Sequence, residues 1–206
     1  MVIGLDFDNT LISYDALMHR ICIERRWIEP SVPICKKDIR DCLRLRPGGE
    51  IEWQELQGMV YGPRLAEAGM IDGVVDFCRR GRGLGAQLYI VSHKTEYAGY
   101  DETRTNLRLA ALTWMQRHHF FDETGLGFSI DQVYFAPTRS EKIEQIARLG
   151  CTHFIDDLEE VFWEATFPEQ IKKILFAPHG SIQSIPSIKS LATWEAVGDY
   201  VFGSDN

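Results

Sequence analysis

Short apolar runs rich in strand-forming residues recur along the chain, with segments of helical spacing between them. The runs are Val2–Phe7, Gln87–Ser92, Cys151–Ile155 and Ile174–Ala177, with Gln132–Phe135 as a weaker further run. Strands that are apolar on both faces and alternate with helices indicate a parallel sheet covered on both sides. Because the crossovers between parallel strands are right-handed, we predict an α/β fold, a three-layer α/β sandwich.

Residues 13–71 interrupt this alternation, between the first run and a helix that starts near Asp72. Three stretches of this segment have helical spacing and are separated by prolines and a glycine turn: Tyr14–Trp27, Lys36–Leu45 and a piece through Trp53 and Leu56. We predict a core domain of residues 1–12 and 72–206 with a small helical insertion of residues 13–71. A decorated crossover with no role in substrate choice would show the same pattern. After Pro186 the pattern predicts one short helix, around Ala192–Val197.

The length and charge of the chain restrict its partners. A chain of 206 residues accommodates one core domain and an insertion. The net charge of −8 argues against nucleic acid as a partner, because nucleic-acid binders neutralise phosphates with lysine and arginine. A local basic pocket for one phosphate is compatible with this charge. The sequence leaves open whether the protein is a monomer or a homo-oligomer.

The cysteines and the apolar runs indicate a cytoplasmic protein. The first apolar run is interrupted by Asp6 and has no basic segment before it, unlike a signal peptide. A membrane span requires roughly 18 uninterrupted apolar residues. No stretch of the sequence has that length, so no membrane partner is expected. The five cysteines form no C-x-x-C pair, which is typical of buried thiols in a reducing compartment.

Two aspartates lie at the end of the first apolar run, in the segment "VIGLDFDNTLI" of residues 2–12: Asp6 lies within the run, and Asp8 follows it directly. Ligands of open α/β sheets bind at the carboxyl ends of the strands. Alternation along an extended strand lets Asp6 and Asp8 project to the same side while Phe7 turns into the core. Carboxylates this close repel each other unless a cation lies between them or one carries a proton. Mg²⁺ would resolve the conflict, although a lone D-x-D is also typical of a solvated turn or a helix N-cap.

Later segments of the chain favour the metal site over the solvated turn. Asp156 and Asp157 follow another apolar run in "FIDDLEE", so the combination of a predicted strand with two nearby aspartates occurs a second time. Ser92 ends a third run in "IVSHKT", and Lys142 stands near the start of a helix that precedes the acidic pair.

With these four features in this order, the chain resembles the haloacid dehalogenase-like (HAD) superfamily of hydrolases. The matching positions are D-x-D-x-T as "DFDNT", the hydroxyl as Ser92, the lysine as Lys142 and the acidic pair as Asp156 and Asp157. The resemblance implies a mainly parallel Rossmann-like sheet with a small α-helical cap inserted after the first motif. A D-x-D alone is a weak signal, whereas the four motifs in order are a strong one.

The resemblance also implies a role for each motif residue. Asp6 would attack phosphorus and form an aspartyl phosphate. Asp8 would protonate the leaving oxygen and then deprotonate the attacking water. Ser92 would donate a hydrogen bond to a phosphoryl oxygen, and Lys142 would neutralise the nucleophile and the phosphate. Mg²⁺ would be bound by Asp6, by Asp8 through its main-chain carbonyl, and by Asp156, with support from Asp157.

The residues expected to contact substrate are Asn9, Thr10, Ser92, His93, Lys94 and Lys142. Lys94 competes with Lys142 as the phosphate lysine because it follows Ser92 so closely, and the family order favours Lys142. Thr10 is expected to support the motif turn rather than to react. Glu160, His118 and His119 fit surface roles better than metal ligation.

An aspartate at the second acidic position of the motif, here Asp8, is typical of the phosphatases and phosphomutases of the superfamily. The dehalogenases of the superfamily have no acid at that position. We therefore predict a Mg²⁺-dependent phosphomonoester hydrolase that acts on a small phosphorylated metabolite, a sugar phosphate or a nucleotide. A phosphomutase or other phosphotransferase and a HAD-like protein that only binds remain as alternatives. A receiver domain is disfavoured, because receivers have the acidic pair on the first strand and the phosphoacceptor on a middle one.

Overall fold

The computed structural model of the chain describes residues 1–99, 103–180 and 186–203. The strands are β1 Val2–Leu5, β2 Ile12–Ser13, β3 Gly69–Met70, β4 Gln87–His93, β5 Val133–Ala136, β6 His153–Asp156, β7 Lys172–Phe176 and β8 Ile188–Leu191. The helices are α1 Asp15–Glu24, α2 Lys36–Arg44, α3 Gly49–Tyr61, α4 Val74–Gly83, α5 Leu107–Arg117, α6 Arg139–Arg148, α7 Glu159–Trp163 and α8 Trp194–Phe202. Short 3₁₀ turns lie at Leu65–Glu67 and Ile130–Gln132.

Six of these strands form one sheet in the order β5-β4-β1-β6-β7-β8. Every neighbouring pair in it is parallel. The predicted α/β sandwich with a parallel Rossmann-like sheet is therefore confirmed. β1 lies between β4 and β6, so the carboxyl ends of these three strands meet at one edge of the sheet. The strands β2 and β3 form a separate two-stranded sheet.

The first strand is buried on both faces and packs closely against its neighbour β6. Ile3 and Leu5 have no exposed surface. Gly4 lies opposite Phe154, and a Cβ at Gly4 would come within 2.5 Å of a carbon of that ring. Only glycine allows the Phe154 ring to cover the strand at this point, so the close packing of β1 on β6 depends on Gly4.

The chain divides into two compact units, and the first contains the sheet. It consists of Met1–Ile12, Met70–Lys94 and His118–Asn206. In its last part, β8 extends the sheet beyond β7, a strand for which the sequence showed no pattern. The helix predicted around Ala192–Val197 is α8, which begins after Thr193, whose Oγ1 accepts a hydrogen bond from the backbone N–H of Ala196.

The second unit is helical and consists of Ser13–Gly69 and Thr95–Arg117. It contains α1, α2 and α3, which the sequence predicted in the insertion of residues 13–71, and also α5, which the sequence placed in the core. Within this unit the indole N–H of Trp114 on α5 donates to the carbonyl of Ala68 at 2.9 Å. The role of residues 13–71 as a cap stays a prediction.

No helix within the described ranges is both long enough and apolar enough to cross a membrane.

Candidate active site

The acidic and hydroxyl residues expected to act in chemistry lie at the carboxyl edge of the sheet, within the first unit. Asp6 follows the end of β1, Ser92 lies near the end of β4, and Asp156 is the last residue of β6. The backbone N–H of Asp6 donates to the carbonyl of Ile155 at 2.9 Å, which continues the pairing of β1 with β6 beyond the strand. This bond places Asp6 beside the acidic pair.

Asp6 is buried, with 4% of its surface exposed, and both of its carboxylate oxygens have donors. Lys142 Nζ donates to Oδ1 at 2.6 Å, and Thr10 Oγ1 lies 3.5 Å from Oδ2 in a weaker hydrogen bond. The carboxylate is thus held in a defined orientation. A nucleophile requires such orientation relative to the atom that it attacks.

Lys142 connects the acids of two strands from the first turn of α6. Its Nζ donates to Asp6 and, at 2.7 Å, to Asp156 Oδ2. The helix start is fixed by Thr138, whose Oγ1 accepts a hydrogen bond from the backbone N–H of Glu141. Burial lowers the pKa of Lys142, but the neighbouring charges of Asp156 and Asp6 outweigh it and hold the pKa above its usual value. Lys142 is therefore a permanent cation between two carboxylates.

The acid cluster of Asp6, Asp8, Asp156 and Asp157 contains carboxyl groups that influence one another's protonation. Burial, together with the nearby charges of Asp156 and Asp8, raises the pKa of Asp6 to about 7, although Lys142 opposes the shift. The raised pKa of Asp6 is therefore mainly an effect of its removal from water. A further cation at this place would favour the ionised, nucleophilic form of Asp6.

Asp8 has a lysine of its own. Lys94 Nζ lies 3.0 Å from Asp8 Oδ1 and 2.8 Å from Oδ2. The two candidate phosphate lysines therefore contact different acids: Lys142 contacts Asp6, and Lys94 contacts Asp8.

The hydroxyl of Ser92 is buried without a hydrogen-bond partner among the described residues, and only 1% of the residue's surface is exposed. An unsatisfied buried hydroxyl costs about 1–3 kcal/mol. Such a group in a native structure calls for a specific explanation, of which a ligand is one.

Comparison with solved structures identifies the fold. A HAD hydrolase of family IA, variant 3, from Entamoeba histolytica has a TM-score of 0.58 at 14% identity, over 95% of this chain and 94% of that one. The HAD-hydrolase YfnB from Bacillus subtilis bound to magnesium has a TM-score of 0.58 at 14% identity, over 98% of each chain. A HAD family hydrolase from Deinococcus radiodurans with bound phosphate and sodium has a TM-score of 0.55 at 11% identity, over 97% of this chain and 94% of that one. The chain has the fold of the HAD superfamily. No family model matches the sequence, and neither does any curated protein that was compared.

In this HAD fold, three carboxylates lie close enough together to hold a divalent metal. Asp6, Asp156 and Asp157 each offer an oxygen, and the three oxygens lie within 4.8 Å of one another. The backbone N–H of Leu158 donates to Asp156 Oδ1 at 3.0 Å, which orients that carboxylate. Carboxylate oxygens are the donors that Mg²⁺ prefers, so these residues fit the ion. The side chain of Asp8 is not in this set. Metal binding by its main-chain carbonyl stays a prediction.

The turn that follows β1 is held by its backbone. The carbonyl of Phe7 accepts N–H bonds from Thr10, Leu11 and Ile12 at 3.4, 3.0 and 3.2 Å. Asn9 has a φ of 57°, the left-handed conformation that asparagine tolerates better than most residues. Thr10 is fully buried, and its role in supporting the turn stays a prediction.

One supporting residue was missed by the sequence analysis. The indole N–H of Trp194, the first residue of α8, donates to the carbonyl of Thr10 at 3.0 Å. The only signal in the sequence is a tryptophan directly after the N-cap residue Thr193, which says nothing about its partner.

The remaining candidates from the sequence have other partners or are exposed. The ring of His93 is exposed, and its Nε2 lies 3.1 Å from the carbonyl of Pro137. His119 Nδ1 contacts Asp122 Oδ2 at 2.6 Å, and Glu160 is exposed. The structure thus brings together Asp6, Lys142, Asp156 and Asp157, and it pairs Asp8 with Lys94. Contact of Asn9 and His93 with substrate stays a prediction.

Proposed function

We propose that this protein is a Mg²⁺-dependent phosphomonoester hydrolase that acts through an aspartyl phosphate on Asp6. The observation that carries the proposal is the buried Asp6 carboxylate, which shares Lys142 with Asp156 in a cluster suited to a divalent metal. The magnesium and the phosphate bound to two proteins of the same fold are consistent with it. The hydroxyl of Ser92, buried without a partner among the described residues, would donate to a phosphoryl oxygen.

In the first half of the reaction, a carboxylate oxygen of Asp6 forms a bond to phosphorus and the ester P–O bond breaks. The electron pair of that bond goes to the leaving oxygen, which takes a proton from Asp8. Lys142 neutralises charge on Asp6 and on the phosphoryl group. Mg²⁺, when bound by Asp6, Asp156 and Asp157, supplies positive charge that reduces the repulsion between nucleophile and phosphate.

In the second half, a water oxygen forms a bond to the same phosphorus while Asp8 accepts a proton from the water. The bond between phosphorus and Asp6 breaks, so the carboxylate is regenerated and phosphate leaves. Asp8 is thus returned to the protonated state in which it began.

A small phosphorylated metabolite, a sugar phosphate or nucleotide, is the substrate class that we propose. The overall charge of −8 disfavours phosphorylated polymers. Dehalogenation is a poorer fit, because a halide leaving group needs no proton and would leave Asp8 without a role. The five cysteines are free thiols, which supports a reducing compartment and hence the cytoplasm.

The test is phosphate release from p-nitrophenyl phosphate and from a panel of phosphorylated metabolites, with Mg²⁺ and with chelator. Asp6→Asn should lower kcat by at least about a thousandfold, because an amide is not a nucleophile of comparable strength. Asp72→Asn makes the same chemical change at an exposed carboxylate and should leave kcat unchanged. Hydrolysis that survives in Asp6→Asn or in chelator would overturn the proposal. A wild type that transfers phosphate between metabolites without releasing it would indicate a phosphotransferase.

A further inference from the structure

Lys94 is held in place both by its backbone and by its side-chain ammonium group. Its backbone N–H donates to the carbonyl of Ala136 at 2.9 Å, so the residue continues the pairing of β4 with β5. Its side chain is 3% exposed, and the ammonium lies 5.7 Å from the centre of the Phe7 ring. A buried lysine is costly unless its charge has a partner. The two oxygens of Asp8, at 3.0 and 2.8 Å, supply that partner.

The direction of Lys94 follows from the alternation of side chains at the end of β4. Ser92 and Lys94 are buried, whereas His93 between them is exposed. Ser92 and Lys94 therefore project to the same side of the sheet. The nucleophile Asp6 already has Lys142, so the second lysine serves the second acid.

We infer that Lys94 is a positioning residue, which holds the carboxyl group of Asp8 in the place where it exchanges a proton with the leaving oxygen and with water. The inference rests on the proposed function. An acid must lie within hydrogen-bond reach of the oxygen that it protonates. The side chain of Asp8 is 21% exposed and follows a strand end, so contacts with buried groups are needed to restrict its rotamers.

Lysine is suited to this role because its ammonium has three donors on one atom. In the structure the ammonium contacts both oxygens of Asp8, as an ionised carboxylate allows. When one oxygen carries the proton that goes to the substrate, the ammonium can keep its hydrogen bond to the other oxygen. A planar guanidinium that binds both oxygens would hold them together.

The alternative is that Lys94 binds the phosphoryl group of the substrate directly. The two roles differ in how they depend on the leaving group. An alkyl phosphate releases a basic alkoxide that needs a proton, so a misplaced acid lowers the rate of its cleavage. An aryl phosphate such as p-nitrophenyl phosphate releases nitrophenolate, which leaves without a proton, so its cleavage is less affected. A lost phosphate contact harms both classes of substrate equally.

The experiment compares kcat/KM of Lys94→Met on p-nitrophenyl phosphate and on the best alkyl phosphate of the panel. For each substrate, kcat/KM depends only on the steps up to cleavage of the ester bond. The later hydrolysis of the aspartyl phosphate therefore does not affect the comparison. We expect a loss of about a hundredfold or more on the alkyl phosphate and only a few-fold loss on the aryl phosphate. Lys172→Met changes an exposed lysine of the same sheet and should alter neither value.

A double-mutant cycle with Asp8→Asn completes the test. If Lys94 acts through Asp8, Lys94→Met should cause no further loss on the alkyl phosphate once Asp8 is replaced. Lys94→Gln keeps a donor of similar length and is measured in parallel, so that poor folding of the methionine variant does not decide the result. Equal losses on both substrates, additive losses in the cycle, or no loss at all would each overturn the inference. A wild type inactive on every phosphate would overturn the proposed function itself, and the inference with it.

Discussion

Two buried polar residues of this site, Ser92 and Asp6, lower the stability of the fold. Ser92 has a buried hydroxyl that no described residue satisfies, and Asp6 is a buried acid with a raised pKa. Buried polar groups of this kind destabilise a folded chain unless a ligand or ion completes them. Their presence together at one sheet edge is typical of a site shaped for binding rather than for packing.

Replacing Ser92 by alanine should therefore affect activity and stability in opposite directions. The variant loses the donor to the phosphoryl oxygen, and kcat/KM should fall by about tenfold to a hundredfold. Its unfolding temperature should stay the same or rise, because an unsatisfied buried hydroxyl is removed. Ser190→Ala, at a buried serine of β8, should leave kcat/KM unchanged. A variant that loses stability and activity together would show that Ser92 has a structural role instead.

The sequence predicted which residues would meet at this edge better than it predicted their individual contacts. Asp6, Lys142 and Asp156 were expected together because the order of the four motifs resembles that of the HAD superfamily, and the structure brings these three residues into contact. The pairing of Lys94 with Asp8 was not predicted. Both lysines lie near Ser92 or the acidic pair, and spacing along the chain does not tell which carboxylate an amine reaches.

At the scale of elements, the site depends on how closely β1 and β6 approach each other. Gly4 makes that approach possible, since a Cβ there would lie 2.5 and 2.8 Å from two carbons of the Phe154 ring and 3.1 Å from Cys151 Sγ. Asp6 follows the end of β1 just beyond this contact, and Asp156 ends β6. A displacement of β1 from β6 would therefore separate the proposed nucleophile from the acids proposed to bind the metal.

Gly4→Ala should destabilise the protein by about 1–3 kcal/mol, because the added methyl group overpacks the contact with Phe154. Chemical denaturation measures the change in the free energy of unfolding. Gly83→Ala, in the last turn of α4 with open space around it, should be neutral or slightly stabilising. Equal stability of the two variants would show that β1 and β6 can separate without cost.

Mainly apolar runs predicted their elements, and a run divided by polar residues did not. The runs that predicted β1, β4, β5, β6 and β7 are mainly apolar and stand between segments of helical spacing. β8 has four residues, as β1, β5 and β6 do, but its burial alternates, two of its residues are polar and it follows Pro186, so its pattern resembles that of a loop. The apolar face of α5 was recognised, but periodicity shows that a face is buried and not which neighbour covers it. The sequence therefore placed α5 in the core, whereas the structure groups it with α1, α2 and α3.

For the molecule as a whole, the acid cluster should couple metal binding to stability. A ligand that binds only the folded state stabilises it by about 2.7 kcal/mol at a hundredfold excess over its Kd. We expect Mg²⁺ to raise the unfolding temperature of the wild type, relative to sodium at the same ionic strength.

Asp156→Asn should abolish this shift, because it removes a carboxylate from the set of three. Glu160→Gln alters an exposed carboxylate nearby on α7 and should retain the full shift. A shift of the same size in Asp156→Asn would mean that the ion binds elsewhere, and no shift in the wild type would contradict the metal site.

The turn that follows β1 has a consequence for how the two acids keep their alignment. Asp6 and Asp8 flank Phe7, whose carbonyl holds three backbone N–H groups of the same turn. The proposed nucleophile and the proposed proton donor therefore belong to one turn that its own backbone bonds hold together. Substitutions elsewhere in the chain that alter which molecules bind would leave the spacing between these two residues unchanged, so substrate preference could diverge among proteins built this way while the chemical step is retained.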